Sequence, residues 1–409
     1  MQPREVGQRF LGKAPFGTEK AHVLGEHHAG LEFGVALLHG PQHFQVLLLR
    51  LQTLSRQTLS SAPSTERVAS AGMTSIPGAK LPGLQPAYLT ARGEAYLGDA
   101  LDLLGRLEDD SVNLILASPP LPRPKDYGHK PEEEFVAELS KFARLAQRKL
   151  RRDGSLVLHL SSAYRRGVPA RSLHSFRALL HLCDDLGFYL AQDFYWHNPR
   201  RPLWQPEWVN KRKLRVRDGV DTVWWLGKTE WPKANVANVL VEHPTQAALF
   251  DLDWRETDWL DMDGEGLIPP NLIRTAVEDP GGPYLEGRRA LRLQGDPSRL
   301  PAALSEFFIR FLTEPGDEVV NVFDGSNAAG LIAEREERRW LSFEANPEHL
   351  AASAFRFLPE KLQPKVRRRA FEEVFARVRN GDTCDLRGYD TFLMQFVALW
   401  AEMTDKWDS

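Results

Sequence analysis

From Tyr88 onward the chain alternates short apolar runs with amphipathic stretches of helical period. Ala95–Asp99 reads as a short strand ending in Gly-Asp, and Ala100–Leu107 as a helix. Leu114–Leu121 opens as a buried strand, with Val112–Ala117 continuously apolar apart from Asn113, and stops at Ser118-Pro119-Pro120. Two consecutive prolines donate nothing to a β-ladder and each fixes its own φ, so the chain must leave the sheet there. Pro131–Leu150 is a helix with Pro first, acids in its first turn and basic residues in its last, which complements the helix dipole. Ser155–Leu160 is a strand, Pro169–Leu186 a helix, and Phe188–Trp196 and Val223–Leu226 are strands. Farther on come a helix over Leu300–Leu312, a strand over Glu318–Phe323, a helix over Ala328–Glu337, a strand over Trp340–Glu344 and a helix over Pro347–Phe357. Pro364–Val378 reads as a further helix. This alternation predicts an α/β fold with a doubly wound, mostly parallel sheet.

Two stretches interrupt the rhythm. Asn198–Lys233 interleaves Arg and Lys with tryptophans, and Glu242–Gln294 is irregular, acidic and rich in Pro and Gly turns. Residues 1–86 carry neither period; Ser60–Lys80 has linker composition, and Met73 inside it would serve as an alternative start. The expected division is a loosely ordered extension over 1–86, a catalytic half over 87–197, a DNA-contacting and target-recognition region over 198–298, a cofactor half over 299–360 and a helical tail over 361–409.

Composition narrows the class. The 409 residues carry a net charge of -3, so any nucleic-acid surface must be local. The two cysteines, Cys183 and Cys384, lie near no His/Cys cluster, which argues against a disulfide framework and a zinc site and for a cytoplasmic protein. No apolar run is long enough to span a membrane, and the N-terminus lacks the order of a signal peptide.

Two loops carry the chemistry. At the carboxyl edge of an open α/β sheet, where ligands bind, Ser118-Pro119-Pro120 presents a hydroxyl and rigid carbonyls with few N–H groups. That acceptor-rich turn suits an amino group. Downstream, Val319–Gly330 reads strand, polar glycine loop, helix start, with Asn327 a natural N-cap and Gly325 permitting a tight turn. About 20 residues on, Glu344 ends the next strand, the place and spacing that suit the ribose hydroxyls of an adenosine cofactor. Neither a Gly-x-Gly-x-x-Gly fingerprint nor a Gly-Lys-Ser/Thr loop is present. A ligand without pyrophosphate, S-adenosylmethionine, therefore fits better than a dinucleotide or nucleoside triphosphate.

Together these segments resemble the amino-methylating DNA methyltransferases, in particular the N4-cytosine enzymes whose catalytic half precedes the cofactor half. The resemblance runs from about Tyr96 to Phe357. It rests on Ser118-Pro119-Pro120-Leu121, Trp196-His197-Asn198-Pro199, Arg215-Val216-Arg217-Asp218, Trp224-Trp225-Leu226-Gly227-Lys228-Thr229, Leu267–Leu272, Pro315-Gly316-Asp317, Asn321–Asn327 and Arg338–Glu344, in family order. Leu121 stands where the family has an aromatic, and Asn321-Val322 where it has Asp-Pro.

The resemblance implies a Rossmann-like S-adenosylmethionine-dependent fold and methylation of the exocyclic N4 of a flipped-out cytosine in double-stranded DNA. Ser118, Pro119, Pro120 and Leu121 would hold the amino group. Phe323, Asp324, Gly325, Ser326, Asn327 and Glu344 would line the methyl donor, with Asp99 toward the adenine edge and Arg299 in a segment closing over it. Asp99 is equally suited to capping the Ala100 helix. Arg200, Arg201, Lys211, Arg212, Lys213, Arg215 and Arg217 are the DNA-contacting candidates, with Arg212–Arg217 alternating so that several share one face, whereas Trp224 and Trp225 read as structural. No metal is expected. Expected partners are duplex DNA and a cognate restriction endonuclease as functional counterpart, with the enzyme a monomer or homodimer. N6-adenine methylation and a catalytically impaired DNA-binding relic are the alternatives. Cytosine C5 methylation is excluded because neither cysteine lies beside a proline.

Overall fold

A computed structural model describes residues 80–119, 132–160, 163–165, 167–199, 207–241, 266–275, 282–294, 300–323, 325–360, 362 and 364–388. The strands are β1 (Tyr88–Leu89), β2 (Gly93–Leu97), β3 (Val112–Ala117), β4 (Leu150–Leu160), β5 (Tyr189–His197), β6 (Val220–Gly227), β7 (Leu272–Arg274), β8 (Glu318–Val322), β9 (Arg339–Glu344) and β10 (Cys384–Asp385). They form one sheet in the order β10-β1-β2-β9-β8-β3-β4-β6-β5-β7. The α-helices are α1 (Ala100–Gly105), α2 (Glu132–Lys149), α3 (His174–Leu180), α4 (Pro283–Leu291), α5 (Ala302–Leu312), α6 (Ala328–Arg335), α7 (Pro347–Ser353) and α8 (Pro364–Arg379).

The central five strands, β2, β9, β8, β3 and β4, run parallel. Their apolar sequences follow from being covered on both faces. Side chains alternate across β3: Leu114 and Leu116 enter one core, Ile115 and Ala117 the other. The first core is closed by α4 to α8 through residues such as Tyr284, Phe308, Ile332, Leu350 and Phe371. The second is closed by α1, α2 and α3 through Leu104, Phe142 and Ala178. Every residue of β3 is buried, so the strand whose carboxyl end carries Ser118 is fixed from both sides.

The sheet is mostly parallel, as expected, with β6 inserted antiparallel to both β4 and β5, while β5 and β7 pair parallel again. Apolar alternation does not encode strand direction. Three other expectations are corrected. The helix expected from Pro169 begins only at His174, because Arg165 and Ser172 form backbone bonds with Ala170 and Ala163 and draw the preceding residues into a short hairpin excursion. The irregular stretch 242–294 contains a helix, α4, whose Gly287 lets Phe355 and Phe371 pack directly on its backbone, and the edge strand β7. The folded pattern also begins before Tyr88: Leu81 is fully buried, and the Lys80 ammonium lies 2.6 Å from Glu318 Oε1. Trp224 and Trp225 behave as structural residues on opposite faces of β6; Trp225 packs edge-on to Phe311 and donates to Ser155 Oγ at 2.9 Å. The extension 1–79, the acidic segment 242–265 and the end of the tail, 389–409, lie outside the described residues.

Candidate active site

The parallel strands bring their carboxyl ends to one line. Ala117 is in register with Val322, Val322 with Phe343, and Leu97 with Glu344. One residue further along, Ser118, Phe323 and Glu344 therefore occupy successive positions along the edge, with Gly98 and Asp99 beyond. Residues from four separate parts of the sequence meet there because parallel strands all end on the same side.

Ser118 is buried at the end of β3, where the chain leaves the ladder at Pro119. Its Oγ lies 2.9 Å from His159 Nδ1 on the neighbouring strand β4. His159 Nε2 lies 4.0 Å from Asp221 Oδ2 on β6, and Trp196 of β5 packs edge-on to the imidazole at 5.4 Å. All three polar residues are buried among apolar neighbours. His159 and Asp221 are the residues that sequence reasoning missed. The available signal was a single titratable side chain inside an apolar, doubly covered strand, a placement rare without a partner.

The β8–α6 loop is bent against its natural preference. Phe323, Gly325 and Asn327 adopt φ values of 64°, 43° and 48°. Left-handed backbone in two non-glycine residues persists only where the surroundings over-determine it. Here the surroundings are named. Phe323 packs edge-on to Phe142 at 5.5 Å. Asn327 caps α6 by accepting the Gly330 amide at 3.1 Å, while its Nδ2 donates to Tyr88 Oη at 2.8 Å. Asn321, buried in β8, donates to Asn327 Oδ1 at 3.4 Å. Arg356 Nε donates to the Ser326 carbonyl at 2.6 Å. Glu344 accepts the Gly325 amide on one oxygen at 3.0 Å and the Asn346 amide on the other at 2.7 Å. A carboxylate offers about four lone-pair sites, so one side chain can hold both amides at once. Asp99 caps α1, accepting the Leu101 amide at 2.8 Å.

The basic region does not form the alternating strand expected of it. Lys211 and Arg212 both turn back on Glu207, at 3.2 and 3.0 Å, and this pairing holds the Glu207 carboxyl below its ordinary range, through the Arg212 hydrogen bond first. Arg215 lies 3.5 Å over the Tyr164 ring and 3.4 Å from Asp218. Tyr164 also donates to Asp218, and burial, followed by that bond, raises its phenol above the usual range. Lys213 and Arg217 remain exposed. Pro120, Leu121, Arg200, Arg201, Arg299 and Asp324 lie outside the described residues. Among the described residues there is no cluster able to hold a metal ion, and no helix is long and apolar enough to cross a membrane.

The match to known proteins covers this edge. A DNA methylase family model of the N6- and N4-methylating type matches residues 112–355. The Type II methyltransferase M.PvuII of Proteus hauseri is 43% identical over 323 residues, 74% of this chain and 94% of that protein. M.XycI of Xanthomonas campestris pv. cyanopsidis, also a Type II methyltransferase, is 26% identical over 67% of this chain and 90% of its own. A solved structure of the cytosine-N4-specific PvuII DNA methyltransferase superimposes with a TM-score of 0.64 at 42% identity, covering 75% of this chain and 99% of that one. With the Ser118 turn and the strained β8–α6 loop both inside the matched span, the chain belongs to the family of N6- and N4-methylating DNA methylases.

Proposed function

We propose that the protein transfers a methyl group from S-adenosylmethionine to the exocyclic N4 amino group of a cytosine flipped out of double-stranded DNA. The observation that carries this reading is the adjacency of Ser118 at the end of β3 to the Phe323–Asn327 loop and Glu344 at the ends of β8 and β9. An amino-group cradle and an adenosine-type loop stand side by side, and a relative 43% identical over most of the chain is a Type II methyltransferase.

The residues present fit the donor. The left-handed turn at Gly325 and the acid at Glu344 form a polar cradle at the end of adjacent strands, next to the half-buried Phe323 ring. S-adenosylmethionine, when bound, supplies a methyl group on a positively charged sulfur. Phe323 and Ser326 would line it, Asp324 and Asn327 would complete the loop, and Glu344 would receive its ribose hydroxyls. Asp99 is committed first to capping α1, just past the end of β2 on the same edge of the sheet.

At the target, the amino nitrogen is a weak nucleophile because its lone pair is delocalised into the ring. Ser118 Oγ and the Pro119 carbonyl accept its two N–H bonds and so orient the lone pair toward the donor. Both acceptors gain strength as the nitrogen becomes positive, which places their effect in the transition state. Pro120, by its fixed φ, would stiffen the turn, and Leu121 would offer an apolar contact to the base. A base inside a duplex cannot reach a buried hydroxyl, so it must leave the stack. Arg200, Arg201, Lys213 and Arg217 would track phosphates, with Lys211 and Arg212 shared between Glu207 and DNA. A restriction endonuclease with the same recognition sequence would be the functional counterpart, and the enzyme would act at the nucleoid.

Mass spectrometry of nucleosides from duplex DNA incubated with the protein and S-adenosylmethionine tests the reading. N4-methylcytosine is the expected product. N6-methyladenine alone, or no methylated nucleoside despite measured donor binding, would overturn it.

A further inference from the structure

The buried line Ser118–His159–Asp221 has a chemical consequence beyond holding the amino group. Methyl transfer to an amino nitrogen leaves that nitrogen with a proton too many. The proton needs an acceptor, and the groups behind Ser118 are buried, with Trp196 packed edge-on to the imidazole. Ser118 Oγ stands 2.9 Å from His159 Nδ1, and His159 Nε2 faces the Asp221 carboxylate at 4.0 Å. A carboxylate on the Nε2 side favours the tautomer with its proton on Nε2. Nδ1 is then an acceptor, so Ser118 donates its hydroxyl hydrogen to His159. That orientation turns the serine lone pairs away from the imidazole, toward the end of the strand. A hydroxyl with its hydrogen already committed can only accept there.

We propose that His159, set in its tautomer by Asp221, is a positioning residue that orients the Ser118 hydroxyl as an acceptor and takes up, through it, the proton released by the methylated nitrogen. The inference rests on the reading of Ser118 as the amino-group acceptor. As the nitrogen attacks, a nitrogen–carbon bond forms and the carbon–sulfur bond breaks, its electron pair remaining on the sulfur. The nitrogen passes one proton to Ser118 Oγ, and the serine passes its own to His159 Nδ1. The products are the methylamino base, the neutral thioether and a protonated imidazole beside Asp221. A carboxylate at that distance stabilises the imidazolium, since both groups are withdrawn from water in the same apolar surroundings. The order of groups resembles a hydrolase triad only in composition; here Nδ1 rather than Nε2 faces the serine, and the serine serves as a relay.

The test uses the full chain and three substitutions, Ser118→Ala, His159→Asn and Asp221→Asn. Asparagine places an amide near the position of Nδ1 and can bond Ser118, but it cannot take up a proton. Selective nitrogen-15 labelling of histidine reads the His159 tautomer directly, without donor or DNA. The expected spectrum shows the Nε2–H form in the wild type and a shift toward the Nδ1–H form in Asp221→Asn. Single-turnover methylation is expected to fall at least tenfold in His159→Asn with S-adenosylmethionine affinity unchanged, and the double variant with Ser118→Ala to be no slower than Ser118→Ala alone. If Ser118→Ala is slow while His159→Asn turns over within twofold of wild type, the relay is wrong and the role of Ser118 stands. If Ser118→Ala itself turns over normally, the underlying reading falls. A wild-type Nδ1–H tautomer overturns the proposed donation from Ser118. Should His159→Asn lose donor binding through misfolding, Asp221→Asn carries the test: a normal rate together with an unshifted tautomer overturns the role of Asp221.

Discussion

Glu344 Oε2 accepts the backbone amide of Gly325 at 3.0 Å, so the acid at the end of β9 holds the loop at the end of β8. Its other oxygen accepts the Asn346 amide at 2.7 Å. The side chain thus shapes the loop that is proposed to cradle the donor. Replacing it with Gln keeps one acceptor oxygen and removes the charge. Charge-assisted bonds contribute roughly 1.5–3 kcal/mol each, so Glu344→Gln should weaken S-adenosylmethionine about 10- to 100-fold. Isothermal titration checks this; an unchanged affinity would remove Glu344 from the donor site.

Asn327 is the second pin of that loop. It accepts from Gly330 and donates to Tyr88 Oη, which also lies 2.6 Å from Ser353 Oγ. Loss of an N-cap costs about 1 kcal/mol, and loss of a buried bonding partner a further ~1–3 kcal/mol. Asn327→Ala should therefore lower the urea midpoint clearly. Asn327→Asp should retain the cap and lose only the donor to Tyr88, giving a smaller decrease.

Gly93 of β2 lies flat against the Trp340 ring. A Cβ there would meet ring carbons at 2.1 to 2.5 Å. The indole cannot retreat: it stacks on Phe357 at 5.2 Å and donates to Glu334 at 2.8 Å. Overpacking of this kind costs about 1–3 kcal/mol or more. Gly93→Ala should destabilise the sheet by at least that amount in equilibrium unfolding.

The cations of the basic region should divide by their surroundings. Arg217 is exposed, whereas Arg215 is stacked on Tyr164 and paired with Asp218. Each phosphate contact adds about 0.9 to the slope of log affinity against log salt. Arg217→Ala should reduce that slope by roughly one contact. Arg215→Ala should leave the slope nearly unchanged while disturbing the Tyr164–Asp218 pair. Equal slope changes in the two variants would be evidence against the division.

Asp109 gives the fold a predictable acid dependence. Lys149, whose side chain is buried, bonds it at 2.7 Å and, ahead of Arg148, holds its carboxyl below the ordinary value. A carboxyl depressed in the folded state contributes stability above its unfolded pKa, about 4, and loses it as pH falls through the lower folded value. Asp109→Asn should therefore be less stable than wild type near neutral pH, and the difference should vanish in strong acid. A constant difference across that window would assign the effect to something other than the carboxylate.

Local pattern determined a good deal of this protein. The apolar run of β3, broken only by Asn113, and the stop at Ser118-Pro119 were visible because a doubly covered strand must be largely apolar and proline must end it. The Asn327 cap, the Gly325 turn and the acid ending β9 were visible because their geometry is set within a few residues. Composition placed α4 in an irregular stretch, since the helix is short and its packing face combines Tyr284 with Gly287 rather than a longer apolar repeat. Antiparallel pairing of β6 with β4 and β5 was also hidden, because alternation specifies which face is buried and says nothing of direction.

Which side chains meet was settled by the packing of the strands into one sheet. Ser118 and His159 lie 41 positions apart and Gly325 and Glu344 lie 19 apart, and strand register alone brings each pair within hydrogen-bond distance. The physical reason is that a hydrogen bond depends on separations of tenths of an ångström, whereas hydrophobic patterning fixes only the side of the sheet. The strands, their ends and the order of the two loops are therefore written in the local pattern; the assembled sheet decided that His159 and Asp221 stand behind the serine.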